Sequence, residues 1–437
     1  METPLAVLIP VFNGFEATQR CLDAVVRHTP ARCPVLLVDD ASTDPRVAPM
    51  LAAFAAARAG TTVLSNERNL GFPGAANRAI AAAAGDVVVL NSDTVVTARW
   101  IAGLERCRDS NPAFGIVCPL SNRATILSIP GIAPLFARAD GSTDVDAIAR
   151  CVAEASTRRY PLLPTAVGFC MLLTRRAIDG AGPFDTAYGR GYGEECDLSM
   201  RALDQGFRIA CADDVYVHHQ SEASFGGLAG VDDLRSRNAR LLDRRWPAYS
   251  PGVRAWSLAN PLRPVFERVI AAAERARMPG RLRVLQVLHR FESRGGIEEH
   301  TRALVNGLKG DIAFTIAHPL GPAGAWSDMA DERPVAHLRI VRFNPDLATE
   351  GIRVIGHRAS VRDSGMENAF RALLSGGFDV VHIQSMVGWN TLALARIARE
   401  SGARVVLSAH DMAMMCGDYN MMAPGDAAPC GRTRARG

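Results

Sequence analysis

Short β-branched apolar runs at 5–11, 34–38, 61–64 and 87–90 are separated by stretches whose apolar positions recur at helical spacing, over 16–27, 47–58 and 74–84. Strands alternating with helices predict right-handed crossovers onto a parallel sheet, a doubly wound α/β unit. Between about 246 and 280 the pattern changes: Pro247, Pro251, Pro261, Pro264 and Pro279 surround one helical stretch at 265–277. This reads as a linker. The alternation then resumes with a strand at 283–288, a helix from Ile297, a strand at 379–383, a helix to about Glu400 and a strand at 404–408. The expected organisation is one α/β domain over 1–246, a linker with a helix over 247–280, and a second, Rossmann-like α/β domain over 281–437.

Composition narrows the class. A chain of 437 residues with 48% hydrophobic content exceeds one ordinary core, and 22% charged residues with a net charge of +4 describe a globular protein rather than a nucleic-acid binder. Lys309 is the single lysine, an arginine bias to which no function attaches. The ten cysteines form no C-x-x-C pair and no framework spacing, which points to reduced thiols and a cytoplasmic setting. The start METPLAVLIPVFNG reaches a turn after one strand length, unlike a signal peptide, and no apolar run approaches the ~18 residues that span a bilayer. Any membrane contact is expected to be peripheral, at the inner face of the cell membrane.

Ligands on open α/β sheets bind at the carboxyl ends of the strands, and candidate chemistry gathers there. Strand 34–38 runs into Asp39, Asp40, Ala41, Ser42, Thr43 and Asp44. A carboxylate there can accept from a base or ribose, although Ser42 or Asp44 could simply cap the following helix. Strand 87–90 ends in Asn91, Ser92, Asp93 and Thr94, where Asp93 is either a turn former or a ligand for the Mg²⁺ or Mn²⁺ that accompanies a diphosphate. The stretch from Asn69 through Gly71 and Gly74 to Asn77 allows close backbone approach at a helix start, yet is neither G-x-G-x-x-G nor a P-loop. That weakens a dehydrogenase or nucleoside-triphosphatase reading.

The segment GRGYGEECDLSMRALDQG at 189–206 predicts a helix with a Cys196, Met200, Leu203 stripe, ended by Gly206, with Glu194, Glu195 and Asp197 in its first turn. Acids at a helix start favour the macrodipole, but three after a glycine-rich loop suggest a general base for an acceptor hydroxyl. Farther on, strand 213–219 ends in His218 and His219, and alternation sets His219 on the face of Val215 and Val217. Such a histidine is either structural or a metal ligand.

In this order the segments resemble glycosyltransferase family 2, inverting enzymes of the GT-A nucleotide-diphospho-sugar transferase fold, over residues 5–225. The most specific stretch is GFCMLLTRRAIDGAGPFD at 168–185, followed by the GYGEECDL run and the His-His end. The resemblance implies that Pro10, Phe12, Asp39 and Asp40 border the base and ribose and that Asn69, Gly71, Asn77 and Ser92 border the nucleotide-sugar. It implies metal ligands at Asp93, last acid of a D-x-D motif whose first acid is here Asn91, and at His219, five positions before Ser224. It puts the catalytic base at Glu195, supported by Glu194 and Asp197.

The implied activity moves a hexose or deoxyhexose from a UDP, dTDP or GDP sugar to a glycan or lipid-linked glycan, in bacterial surface polysaccharide synthesis. The second domain resembles the N-terminal half of a family 4 (GT-B) glycosyltransferase, on the strength of GGIEEH at 295–300, FDVVHIQS at 378–385 and SAHD at 408–411. The donor-binding half of that fold does not follow before Gly437, so an incomplete GT-B domain is expected. The competing expectation is a nucleotide-sugar or glycan-binding protein without catalysis, motivated by Asn91.

Overall fold

The computed structural model describes residues 4–220, 231–292, 294–321, 327–348, 362–408 and 410. The chain forms two compact units: Met1–Ile129 with Asp144–Val253, and Pro130–Thr143 with Arg254–Gly437.

In the first unit, β1 (Leu5–Val11), β2 (Val35–Asp39), β3 (Thr61–Ser65) and β4 (Asp86–Leu90) pair in parallel in the order β3-β2-β1-β4, linked by α1 (Phe15–His28), α2 (Val47–Ala57) and α3 (Gly71–Ala82). β2 and β4 are buried at every position, which is why they read as apolar runs up to Asp39 at the end of β2 and from Asp86 at the start of β4. α3 begins at Gly71, three residues before the predicted start. The Asp40 carboxylate accepts from the Leu70 and Gly71 amides at 2.8 and 2.9 Å, satisfying donors that a helix start leaves open.

Past β5 (Thr94–Val95) and α4 (Trp100–Ser110) come β6 (Phe114–Leu120), α5 (Ile132–Leu135), which groups with the second unit, α6 (Val145–Ala155), β7 (Leu162–Leu163), β8 (Cys170–Leu173) and α7 (Arg175–Ala181). The unit continues through α8 (Glu194–Asp204), β9 (Arg208–Tyr216), β10 (His218–His219) and α9 (Val231–Arg245) into α10 (Tyr249–Ala259), within which the division between the units falls after Val253. The sheet extends beyond β4 as β8-β6-β9-β7, with β8 antiparallel to β4 in the register Leu90↔Cys170. The start of β8 therefore lies beside the carboxyl end of β4, at the edge where β1 and β2 also end.

In the second unit, β11 (Leu282–Val287), β12 (Ile312–His318), β13 (Met329–Val335), β14 (Leu338–Phe343), β15 (Val380–Ile383) and β16 (Arg404–Leu407) pair in the order β13-β14-β12-β11-β15-β16, parallel except for β13. Its helices are α11 (Arg263–Arg277), α12 (Gly296–Gly307), α13 (Ser364–Leu374) and α14 (Leu394–Glu400). The proline-punctuated stretch read as a linker is thus largely helical, and α11 is built into the second unit. Its fully buried Arg263 and Glu267 join Asp328, Asp331 and Arg339 in a charge network, with Arg339 holding Glu267 at 2.6 and 2.8 Å. Asp411 and the stretch 416–437 lie outside the described residues.

Candidate active site

Asp93 and His219 meet although 126 positions separate them. After β4 the chain turns into β5, and β5 pairs with β10 in the register His219↔Thr94, with the Gln220 amide donating to the Asp93 carbonyl at 2.9 Å. His219 Nε2 lies 3.2 Å from Asp93 Oδ1, and its Nδ1 lies 2.8 Å from the Arg123 carbonyl. A carbonyl can only accept, so Nδ1 carries a proton and Nε2 is left to face the carboxylate. Burial opposes charging the ring, but the Asp93 carboxylate more than offsets it and raises the His219 pKa above its ordinary value. A neutral Nε2 and a carboxylate oxygen facing each other are two acceptors, an arrangement that calls for a proton or a cation. The carbonyl-fixed Nδ1 is also the usual second contact of a metal-ligating imidazole. No third His, Cys, Asp or Glu completes a metal cluster among the described residues.

Glu194 and Glu195 open α8 behind Gly193. Glu195 is half-buried, and its Oε2 accepts from the Gly193 amide at 3.1 Å. Glu194 is buried, with Oε2 lacking a hydrogen-bond partner. Burial pushes the pKa of both carboxyls up, and for Glu194 the Glu195 charge adds to it. The side chains that α8 buries are Glu194, Asp197, Leu198, Ser199 and Ala202, whereas Cys196, Met200 and Leu203 of the predicted stripe are only half-buried.

Two consecutive residues entering β8 link these clusters. A Cβ on Gly168 would sit 3.7 Å from Glu195 Cγ. The Phe169 ring stacks on His219 at 5.7 Å between centroids, and its carbonyl accepts from the Asn91 amide at 2.9 Å. The apolar 168–173 stretch thus carries contacts to both ends of the site.

Several expected site residues are engaged otherwise. Asp40, expected at the ribose, is buried and accepts from Asn66 Nδ2 at 2.7 Å as well as from the Leu70 and Gly71 amides, so its carboxylate anchors the loop into α3. Asn69 donates to the Asp40 carbonyl and accepts from the Gly71 amide, holding the same loop. Asn77, expected at the donor, exchanges two hydrogen bonds with the Phe184 backbone at 2.8 and 2.9 Å. Asp197 accepts from Arg201 Nε at 2.8 Å and Trp246 Nε1 at 3.0 Å, with Arg245 at 3.4 Å, so its support of α8 is structural.

Other expected residues remain at the strand ends. Asp39 Oδ1 accepts from the Ser42 amide at 2.9 Å. Pro10, Phe12, Asn91 and Ser92 are half-buried along the same edge. Ser224 lies outside the described residues. His218 turns from the Asp93 pair to Tyr216, with Nδ1 3.0 Å from the phenol oxygen, and burial lowers its pKa to about 4.

Residues 6–118 match the model of Glycosyl transferase family 2. An uncharacterised protein of Mycobacterium tuberculosis (strain ATCC 25618 / H37Rv) is 26% identical over 269 residues, covering 59% of this chain and 91% of that protein. Among solved structures, GalNAc-T7 with UDP, GalNAc and Mn²⁺ aligns at a TM-score of 0.45 and 16% identity over 60% of this chain; the chain spans about half, 52%, of that protein. The mannosyltransferase PcManGT from Pyrobaculum calidifontis with GDP-Man and Mn²⁺ aligns at 0.42 and 20% identity, over 63% of this chain and 75% of that one. Among the described residues no helix is long and apolar enough to cross a membrane.

Proposed function

We propose that the first unit is an inverting, metal-dependent glycosyltransferase that moves a sugar from a nucleoside diphosphate to a hydroxyl of a glycan or lipid-linked glycan, in the assembly of a bacterial surface polysaccharide. The observation that carries this reading is the facing pair of Asp93 and His219, joined through Gly168 and Phe169 to the Glu194–Glu195 start of α8. Asp93 and His219 would hold a Mg²⁺ or Mn²⁺ ion, and such an ion neutralises charge on a departing diphosphate. The residues themselves set the rest. Glu195 takes the acceptor hydroxyl proton as the oxygen bonds to the anomeric carbon, and the carbon–phosphate oxygen bond breaks with its electron pair leaving on the nucleoside diphosphate. A carboxyl whose pKa is raised by burial is a stronger base than an exposed one, which suits it to this proton transfer near neutral pH.

The second unit's largely parallel sheet supports reading it as the N-terminal half of a GT-B fold. Asn91 in place of the first motif acid favours one alternative, binding of a nucleotide-sugar or glycan without catalysis. Turnover of a UDP, dTDP and GDP sugar panel by the full chain with Mn²⁺ or Mg²⁺, paired with calorimetry of each nucleotide, separates the two. Turnover lost on chelation and restored by Mn²⁺ supports transfer; tight nucleotide binding with no turnover supports the alternative.

A further inference from the structure

Four residues in left-handed backbone conformation crowd the loop that leads into Glu194 and Glu195. Gly189, Gly191, Tyr192 and Gly193 all have positive φ, at 70°, 136°, 69° and 103°. Tyr192 is the telling member, because a side chain in the left-handed region costs about 1–2 kcal/mol and persists only where surrounding structure over-determines it. That structure comes from α9. Asn238, 1% exposed, turns its Nδ2 to the carbonyls of Tyr188, Gly191 and Tyr192 at 2.9, 2.9 and 3.0 Å, while its Oδ1 accepts from Arg237 at 3.1 Å. Arg237 also donates to the Ala187 carbonyl, and the Arg235 guanidinium lies 4.5 Å over the Tyr192 ring and donates to its hydroxyl at 3.2 Å. The Glu194 carboxyl sits directly beneath: a Cβ on Gly191 would be 3.7 Å from Glu194 Oε1.

We propose that Asn238 is a positioning residue for the glycosyl transfer, its amide clamping the 188–192 carbonyls so that the carboxyls of Glu194 and Glu195 are fixed before the acceptor arrives. This rests on the proposed transferase activity and adds to it a residue outside the Asp93–His219 pair. The amide N–H donors carry the effect, since only they reach all three carbonyls. An isosteric carboxylate would set acceptors against acceptors and release the loop.

The test compares the full-length wild type with Asn238→Ala, Asn238→Asp and the surface variant Arg235→Ala, by steady-state kinetics and by hydrogen exchange of peptides covering 186–198. Expected are a fall in kcat of tenfold or more in both Asn238 variants with donor KM within twofold, a smaller fall in Arg235→Ala, and exchange at least tenfold faster in the 186–198 peptides while those of β1 and β4 keep wild-type protection. If Asn238→Asp turns over like wild type, or the loop exchanges unchanged in all three variants, the inference is overturned. Should both Asn238 variants fail to fold, Arg235→Ala decides it through the same two readouts. A wild type that turns over no nucleotide sugar removes the transferase reading, and the exchange measurement still decides the clamp.

Discussion

Replacing Gly71 by alanine should impair both folding and turnover, for a reason that is steric rather than ligand-based. Gly71 has φ of 74°, and a Cβ built there would lie 2.6 Å from the Gly189 carbonyl oxygen and 2.8 Å from Arg190 Cα. Ordinary contact begins at 3.4 Å, so the backbone of 189–190 would have to retreat by about 0.8 Å. Left-handed strain contributes about 1–2 kcal/mol and forced overpacking about 1–3 kcal/mol, together roughly 2–5 kcal/mol lost from the first unit. The displaced backbone leads directly into Glu194 and Glu195, and a shift approaching 1 Å in a reacting group reduces rate on the order of 10²-fold. Denaturant unfolding and nucleotide-sugar turnover of Gly71→Ala, with Gly252→Ala as a control in the same unit whose Cβ would meet nothing within 4 Å, would measure both effects. Wild-type stability and turnover in Gly71→Ala would refute the close approach of α3 to the 189–190 backbone.

Glu194→Gln should stabilise the protein at pH 8 and leave it unchanged at pH 4, followed by urea unfolding across pH. The folded carboxyl has a pKa raised by burial, so the native state retains a proton that the unfolded chain releases, and wild-type stability falls as pH rises from about 4.5. Asp197→Ala should destabilise by about 3 kcal/mol in chemical denaturation, because Arg201 and Trp246 Nε1 lose a buried acceptor. In the second unit, Glu267→Ala strips Arg339 and Arg263 of their shared carboxylate, and a loss of about 3–5 kcal/mol should appear as faster hydrogen exchange along α11 and β14.

Local pattern made β1, β2 and β4 legible, because a strand buried on both faces is apolar through its middle, and it located the acids at the carboxyl ends of β2 and β4. It could not divide the work among those acids. Asp39 and Asp40 are neighbours with the same chemistry, yet only Asp40 is saturated by donors from a loop some thirty residues away, a property of the folded chain. Asn77, which the resemblance sets at the donor, and Asp197, one of three acids in the first turn of a helix, are likewise committed to distant backbone or side chains. The α8 stripe of Cys196, Met200 and Leu203 missed the buried face because two of that face's members are carboxylates, which periodicity counts as polar. Asn238 left no signal: in an arginine-rich, mostly exposed helix, one asparagine reads as solvated surface.

The central claim, that Glu195 removes the acceptor proton in a transfer whose donor is held elsewhere in the site, is tested most directly by Glu195→Gln. The variant is nearly isosteric, so calorimetry should find nucleotide affinity in the presence of Mn²⁺ within a few-fold of wild type while transfer falls by about 10²–10⁴-fold. Transfer within tenfold of wild type, with nucleotide affinity intact, would contradict it.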